Sequence, residues 1–165
     1  MGEEMTKSQK LREIVSKELF FMTVPSSEAS RVSSLYRHNV SRRIGENPEL
    51  YGRLLQKLPV ELHRNEAEQA AYTALTLAAF AGNHGSENMA KVIGNIPHNE
   101  SLVKRFRRAE TADDIDELRY LLRSVLKLVA SQGRSVNYAN LASDLYAWQY
   151  SKAEQIRRWE RDIVG

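Results

Sequence analysis

The sequence contains no cysteine among its 165 residues, so it can form no disulfide, no thiolate zinc site and no cysteine nucleophile. This absence fits a reducing compartment, and we expect a cytoplasmic protein. Its 8 glycines and 4 prolines are too few for a loop-rich all-β chain. No apolar run approaches the roughly 20 residues that a membrane span needs, and the polar stretch from Met1 to Lys10 does not resemble a secretory signal. We therefore expect no membrane partner.

Motifs that support catalysis or metal binding are also missing. The four histidines include no His-Glu-x-x-His pair, and no Gly-x-Ser-x-Gly elbow occurs. The loop 82–86 lacks the Lys and Ser/Thr of a phosphate-binding loop. Asp113, Asp114 and Asp116 could hold magnesium in a nuclease, but the first turn of a helix favours acidic residues without any metal. We predict a protein that is not an enzyme and that needs no cofactor and no metal.

Apolar residues recur at helical spacing through nearly the whole chain. Residues 6–22, for example, place Leu11, Val15 and Leu19 on one stripe. The pattern predicts eight or nine helices and no convincing strand, and hence an all-α fold of two packed helical bundles. A break near Pro97 divides them into an N-terminal bundle over 1–97 and a C-terminal bundle over 98–165, packed as one compact unit.

Potential capping residues mark several helix boundaries. Asn47 is predicted to cap a helix whose first residue is Pro48. Asn65 and Ser151 are each followed three residues later by glutamate, which is the pattern of a capping box. Thr111 precedes an acidic first turn and is predicted to be a third cap. The alanine-rich helix that follows Asn65 carries few charges, so we expect it to be central and mostly buried.

Three aromatic residues and one histidine have open roles. Trp148 and Trp159 are predicted to anchor the core. Tyr36 lies beside Arg37 on an arginine-rich helix and is a candidate for contact with a nucleotide. His84, in the glycine loop, is a base, a stacking group or merely a polar loop residue.

The net charge of +3 hides an uneven distribution of charge. Residues 31–45 carry four arginines and no acid, and residues 101–165 carry 12 basic against 9 acidic residues. Three blocks stand out: Arg31–Arg43, Lys104–Arg108 and Arg157–Arg161. Each block alone also fits a solvated helix face. Together they favour a polyanionic partner, because the arginine fork suits phosphate, and such contacts ignore base sequence and weaken with salt.

Five segments resemble the motifs of one known protein family and occur in the same order as in that family: Ala70–His84, Val103–Arg108, Leu118–Arg123, Val136–Trp148 and Ile156–Asp162. The run from Val136 to Trp148 is the most telling, since it is similar to the pattern Asp-Tyr-x-x-Leu-x-x-Asp-Leu-x-x-Trp. From about Leu35 to its C-terminus the chain resembles the CasB family, the small subunit of the type I-E CRISPR surveillance complex Cascade. The chain departs from the family where the family has Leu-Arg-Arg: this sequence has Leu35-Tyr36-Arg37, with tyrosine in place of the first arginine.

The resemblance implies an all-helical scaffolding protein without a catalytic site, present as two copies in the complex. Its implied partners are the backbone and large subunits of Cascade, a second copy of itself, the guide RNA, and the target and displaced DNA. Its implied role is to stabilise the R-loop, whose formation is nearly balanced in free energy. By position, the resemblance assigns nucleic-acid binding to Arg37, Arg105, Arg107, Arg108, Arg119, Arg123, Lys152, Arg157, Arg158 and Arg161. About half of these are expected to pair instead with carboxylates, for which Asp116, Glu117, Glu154 and Asp162 are the candidates.

Three functions remain open from the sequence. The first is a non-catalytic Cascade subunit that binds nucleic-acid backbones. The second is a helical adaptor that binds only protein, its arginines facing acidic partner surfaces. The third is a small metal-dependent nuclease that uses the three clustered aspartates.

Overall fold

The computed structural model describes residues 5–165, and these fold into nine α-helices joined by short loops. The helices are α1 (Lys7–Met22), α2 (Ser27–His38), α3 (Pro48–Lys57), α4 (Asn65–Ala81), α5 (Met89–Asn95), α6 (Glu100–Glu110), α7 (Ile115–Ser131), α8 (Tyr138–Tyr150) and α9 (Lys152–Val164), with a 3-10 turn at Val60–Leu62. Over the described range the sole extended pairing is one bridge between His84 and Val136. The predicted all-α fold is confirmed.

One hydrophobic core contains residues from both ends of the chain. Helix α4 lies at its centre, since every residue from Ala70 to Ala78 is buried, as its alanine-rich sequence predicted. Helix α8 packs against α1 and α4, α7 packs against α4 and α6, and α5 packs against α9. Helices from both sides of Pro97 therefore share this core. The division at residue 97 stays a prediction. No helix in residues 5–165 combines the length and the apolar character of a membrane span.

The start of α3 follows the predicted pattern, and the start of α4 does not. The side chain of Asn47 accepts a hydrogen bond from the N–H of Leu50 at 3.1 Å, and Pro48 is the first helical residue. The capping box at Asn65 is wrong, because Asn65 is already inside α4. Glu68, its supposed partner, instead accepts a hydrogen bond from the Tyr51 hydroxyl at 2.6 Å.

The other two predicted caps are also wrong. Thr111 ends α6, and α7 is capped three residues later by Asp114, whose carboxylate accepts from the N–H of Glu117 at 2.8 Å. Ser151 does precede α9, but its side chain makes no capping hydrogen bond. An actual cap occurs at Asn137, whose side chain accepts from the N–H of the third residue of α8 at 2.9 Å.

Candidate nucleic-acid interface

Side chains of α6 and α9 contact each other and bring two of the three basic blocks together. The rings of Phe106 and Trp159 meet edge to face, with their centroids 5.4 Å apart. Beside them, Arg107 of α6 forms a 2.9 Å ion pair with Glu160 of α9. The two blocks are therefore neighbours on the folded surface, although about fifty residues separate them in the chain.

The helical repeat determines on which side of its helix each of these cations lies. Successive residues are about 100° apart around the axis, so Arg105 and Arg107 lie on opposite flanks of the buried Phe106. Arg107 is on the flank that meets α9, which leaves Arg105 on the far flank. We define the α6–α9 face by five of the other exposed cations, which are Lys104, Arg107, Arg108, Arg157 and Arg161, and leave out Arg158 because it pairs with Glu154 on its own helix. The family resemblance did not include Lys104. Its position in the basic block, two residues before Phe106, was the available signal.

Most cations of the α6–α9 face have no carboxylate partner. Among residues 5–165, Lys104, Arg108, Arg157 and Arg161 form no ion pair, and Arg107 pairs with Glu160. Exposed cations without an internal partner are available to phosphate groups. Within the described part of the chain, the face thus presents four cations without an ion-pair partner, on two helices whose side chains touch.

A buried acid beneath this face has a raised pKa. Glu110, the last residue of α6, is only 2% exposed. Burial, and then the neighbouring charge of Glu160, raise the pKa of Glu110 to about 8. Arg107 offsets the charge of Glu160. The carboxyl groups under the face therefore do little to cancel its positive charge.

The first basic block lies against α7. The guanidinium of Arg123 donates a hydrogen bond to the hydroxyl of Ser41. Arg43, whose side chain is 75% exposed, lies 3.7 Å from the carboxylate of Asp116 at the start of α7. The connection between α2 and α3 is thus fixed alongside α7 and adds its charge there.

An exposed aromatic ring lies among these cations. Tyr120 is 61% exposed, and the guanidinium carbon of Arg123 lies 4.5 Å from its ring centroid. One turn beyond Arg123, the ammonium of Lys127 lies 4.7 Å from the ring centroid of Phe80. We define the α7 surface as Arg43, Tyr120, Arg123 and Lys127. The sequence analysis placed Arg43 in the first basic block and assigned nucleic-acid binding to Arg123, but it named neither Tyr120 nor Lys127.

Arg119 is a correction to the predicted interface. It is only 3% exposed, and its guanidinium donates to the carbonyl oxygens of Val40 at 3.0 Å and Arg42 at 2.9 Å. It also forms a 2.8 Å ion pair with Asp116 and lies 5.2 Å from the ring centroid of Tyr72. All of its donors are directed into the protein, so burial removes Arg119 from any surface that contacts phosphate.

The remaining predicted residues lie apart or are partly engaged. Arg37 is exposed near the end of α2, and Arg105 is exposed on the far flank of α6. Lys152 is half-buried and donates to the carbonyl oxygen of Ala112. Arg158 is exposed and pairs with Glu154, four residues earlier on α9, at 2.8 Å. Exposed pairs of this kind contribute little to stability and exchange readily for another anion.

The predicted carboxylate partners are confirmed in two cases. Asp116 pairs with Arg119 and Glu154 pairs with Arg158. Glu160, the partner of Arg107, was not among the four candidates.

Of the predictions for aromatic residues, two are confirmed and one is wrong. Trp148 and Trp159 are 4% and 1% exposed, which confirms their place in the core. The prediction for Tyr36 is wrong, because this ring is fully buried and its hydroxyl donates to Glu18 at 2.7 Å. Arg53 holds the same carboxylate through two hydrogen bonds of 2.7 and 2.8 Å. Tyr36 therefore belongs to an internal polar network and cannot reach a nucleotide.

The aspartates and the loop histidine have local structural partners. Asp114 caps α7, and Asp116 is held by Arg119. In the part of the chain that the structure describes, no three side chains of His, Asp or Glu gather as a metal site requires. The Nδ1 atom of His84 accepts a hydrogen bond from the N–H of Tyr138 at 3.2 Å, which joins the loop after α4 to the start of α8.

Together the fold and these surfaces define an all-α protein that carries clustered exposed arginines on adjacent helices. The chain belongs to the family of the CRISPR-associated protein Cse2, whose model matches residues 32–162. This match confirms the resemblance to CasB. No curated protein sequence matches the chain.

Three solved structures share the fold. CasB from Thermus thermophilus is 21% identical, with a TM-score of 0.74 over 96% of this chain and 98% of that one. A CRISPR-associated protein of the Cse2 family, also from Thermus thermophilus, is 20% identical, with a TM-score of 0.76 over the same shares. CasB from Thermobifida fusca is 20% identical, with a TM-score of 0.68 over 96% of this chain and 95% of that one.

Proposed function

We propose that the chain is the non-catalytic small subunit of a type I-E Cascade complex, where it holds guide RNA and DNA through their backbones. Membership of the Cse2 family supports the assignment to CRISPR defence. The exposed arginines support the nucleic-acid role, since guanidinium groups bind phosphate without reading the base. Contacts of this kind would tip the near-balanced formation of an R-loop toward the open form.

The observation that carries this proposal is the α6–α9 face. The ion pair between Arg107 and Glu160 and the contact between Phe106 and Trp159 align two basic helices. Four cations on these helices have no carboxylate partner among the described residues. Because these four cations form no ion pair within residues 5–165, phosphate oxygens can pair with them on binding, with release of counterions.

A charge-reversal pair tests this face directly. Arg108→Glu with Arg157→Glu removes one unpaired cation from each helix. The matched control, Lys57→Glu with Arg64→Glu, makes the same change in net charge at exposed positions outside α6 and α9. Fluorescence anisotropy with labelled single-stranded and duplex DNA, at about 50 mM salt, measures both variants.

The expected result is a loss of affinity of at least about tenfold in the Arg108/Arg157 variant, with a much smaller loss in the control. Circular dichroism should report the same helicity for both, because all four side chains are exposed. Equal losses in the two variants would mean that only net charge matters and would remove the α6–α9 face from the proposal. Complete absence of binding by the unmodified chain would overturn the nucleic-acid role.

The protein-only adaptor remains a second candidate because α9 also carries apolar surface. Val164 is 81% exposed, and a shallow, mainly apolar groove of about 580 Å³ is lined by Ile156, Glu160 and the arginines at 157 and 161. A partner helix with acidic ends would fit such a surface. An adaptor would show no affinity for oligonucleotides in the titration described above, which separates the two candidates.

A further inference from the structure

The α7 surface contains a side chain that phosphate binding alone does not explain. Tyr120 is 61% exposed, while Leu118 and Leu122 on either side of it are buried. Single exposed apolar residues are common on protein surfaces, so exposure by itself carries no inference. The surroundings of the ring supply the additional observations.

The ring of Tyr120 is held in a stacked arrangement before any ligand arrives. The guanidinium of Arg123 lies 4.5 Å from the ring centroid. Arg123 is itself fixed by hydrogen bonds to the hydroxyl of Ser41 and to the carbonyl oxygen of Tyr120. An aromatic ring whose one face is covered by a fixed guanidinium leaves its other face to solvent, and this ordering lowers the entropy cost of a further stacking contact.

Cations flank this stacked pair along α7. Arg43 lies near the first turn of the helix, through its contact with Asp116, and Lys127 lies eleven residues further on. At 1.5 Å per residue, the two cations lie about 16 Å apart along the helix axis. A strand that follows α7 would thus meet a positive charge on each side of the aromatic ring.

The two acids of the first turn of α7 are held by donors of the protein itself. Asp116 is shared between the guanidinium groups of Arg119 and Arg43. The carboxylate of Glu117 is turned back toward the N–H of Asp113, at 3.4 Å. Arg123 and Lys127 form no ion pair among the described residues, so the positive charge beside Tyr120 comes from these two side chains.

Given these contacts, we propose that Tyr120 is a stacking platform for an unpaired base, with Arg43, Arg123 and Lys127 holding the phosphates around it. This inference rests on the proposed nucleic-acid function and deepens it, because it assigns single-stranded nucleic acid to one surface. Bases in a duplex already stack on their neighbours and cannot reach the ring, whereas every unpaired base has a face to offer. The α7 surface therefore prefers single strands, and it does so without sequence specificity.

A comparison of two single strands of equal length tests the proposal. One is an ordinary DNA strand, and the other has abasic sites at its central positions, so that the phosphates are kept and the bases are lost. Base stacking on an aromatic side chain corresponds to roughly five- to hundredfold in affinity. The unmodified chain is expected to prefer the ordinary strand by a factor in that range.

Variants then assign this preference to the ring. Tyr120→Ala should bind both strands equally, at the affinity of the abasic strand, and Tyr120→Phe should keep the preference because it keeps the ring. The matched control is Tyr150→Ala, which removes another tyrosine, 52% exposed, from α8 and should leave the preference unchanged.

The outcomes separate this inference from the function on which it rests. A chain that binds neither strand overturns both. A chain that binds both strands, but whose Tyr120→Ala variant retains the preference for the ordinary strand, overturns the stacking platform alone. An unmodified chain that binds the two strands equally also overturns it, while leaving the phosphate contacts of the α6–α9 face in place.

Discussion

Gly94 of α5 and Ile163 of α9 touch backbone to backbone. A Cβ atom at Gly94 would overlap the carbonyl oxygen of Ile163 and would lie 2.9 Å from its carbonyl carbon. Since both contacts are to main-chain atoms, no side chain can rotate away to make room. The absence of a side chain at Gly94 therefore allows α5 to pack closely against α9.

We expect Gly94→Ala to lower the free energy of unfolding by about 1–3 kcal/mol, as overpacking typically does. Gly52→Ala is the matched control, because Gly52 lies inside α3 and a Cβ atom added there would have nothing within 4 Å. Alanine there should raise stability by roughly 0.5–1 kcal/mol, since glycine is the poorer helix former. Urea unfolding of both variants measures these changes. A neutral Gly94→Ala variant would contradict the close packing of the two helices.

Arg119→Ala should be strongly destabilising, with a loss of about 2–4 kcal/mol, because it leaves the carbonyl groups of Val40 and Arg42 without their buried donor and removes the nearer partner of Asp116. Arg105→Ala, an exposed change on α6, should stay within about 0.5 kcal/mol. Chemical denaturation distinguishes them. Equal stability of the two variants would disprove the structural role of Arg119.

Two positions allow an observed helix cap to be compared with a capping-box pattern that forms no capping hydrogen bond. Asn137→Ala removes the acceptor for the N–H of Asn140 and should cost about 1 kcal/mol of stability. Ser151→Ala should change stability by only a few tenths of a kcal/mol, because Ser151 makes no capping hydrogen bond. Thermal unfolding of the two variants checks this order, and the reverse order would show that Ser151 does cap α9.

The helices themselves were predictable because their apolar faces recur with the helical period, and that period decides which side chains can be buried together. The caps were not, because a cap depends on the backbone angles of one residue. Thr111 and Asp114 are both acceptable residue types within four positions, and only folding selects Asp114. Boundaries were thus right to within a few residues, while the capping side chains were wrong at three of four positions.

The interface was predictable as a set of basic blocks but not residue by residue. Arg119 was assigned to the surface by position, through the family resemblance, although its spacing from Leu122, Leu126 and Val129 puts it on the apolar stripe of α7. That spacing was the signal that could have identified it. The adjacency of α6 and α9 had no such signal, since it depends on a contact between residues about fifty positions apart.

Glu110 should make stability depend on pH in a defined window. In the folded protein its pKa is raised to about 8, whereas an unfolded chain has its glutamates near 4.3. Between these values the folded state holds a proton that the unfolded state has lost, so this contribution to stability falls as pH rises from about 4 to 8.

Glu110→Gln removes this dependence, because the amide stays neutral at every pH. The stability of the variant relative to the unmodified protein should therefore increase between about pH 5 and pH 9, as measured by urea unfolding at each pH. A constant difference across this range would mean that Glu110 is already ionised in the folded protein at pH 5.

Salt dependence would count the phosphates that we propose the α6–α9 face neutralises. Each contact on a single strand contributes about −0.7 to the slope of log affinity against log salt. Losing the cations at 108 and 157 should therefore make that slope shallower by about 1.4, whereas the Lys57/Arg64 control should leave it unchanged. An unaltered slope in the Arg108/Arg157 variant would mean that these two side chains do not meet phosphate.

The hydrogen bonds from Arg119 to the carbonyl oxygens of Val40 and Arg42 connect the buried side of α7 to the segment that carries exposed cations beside this helix. Together with the Tyr72 hydroxyl, which also donates to the carbonyl oxygen of Arg42, that interior guanidinium holds the segment that bears Arg42 and Arg43. We therefore expect homologues that keep Arg119 also to keep the course of the segment that bears Arg42 and Arg43. A lineage that exchanged Arg119 for an apolar residue would need to evolve a different course for residues 39–46, and a different arrangement of cations beside α7 with it.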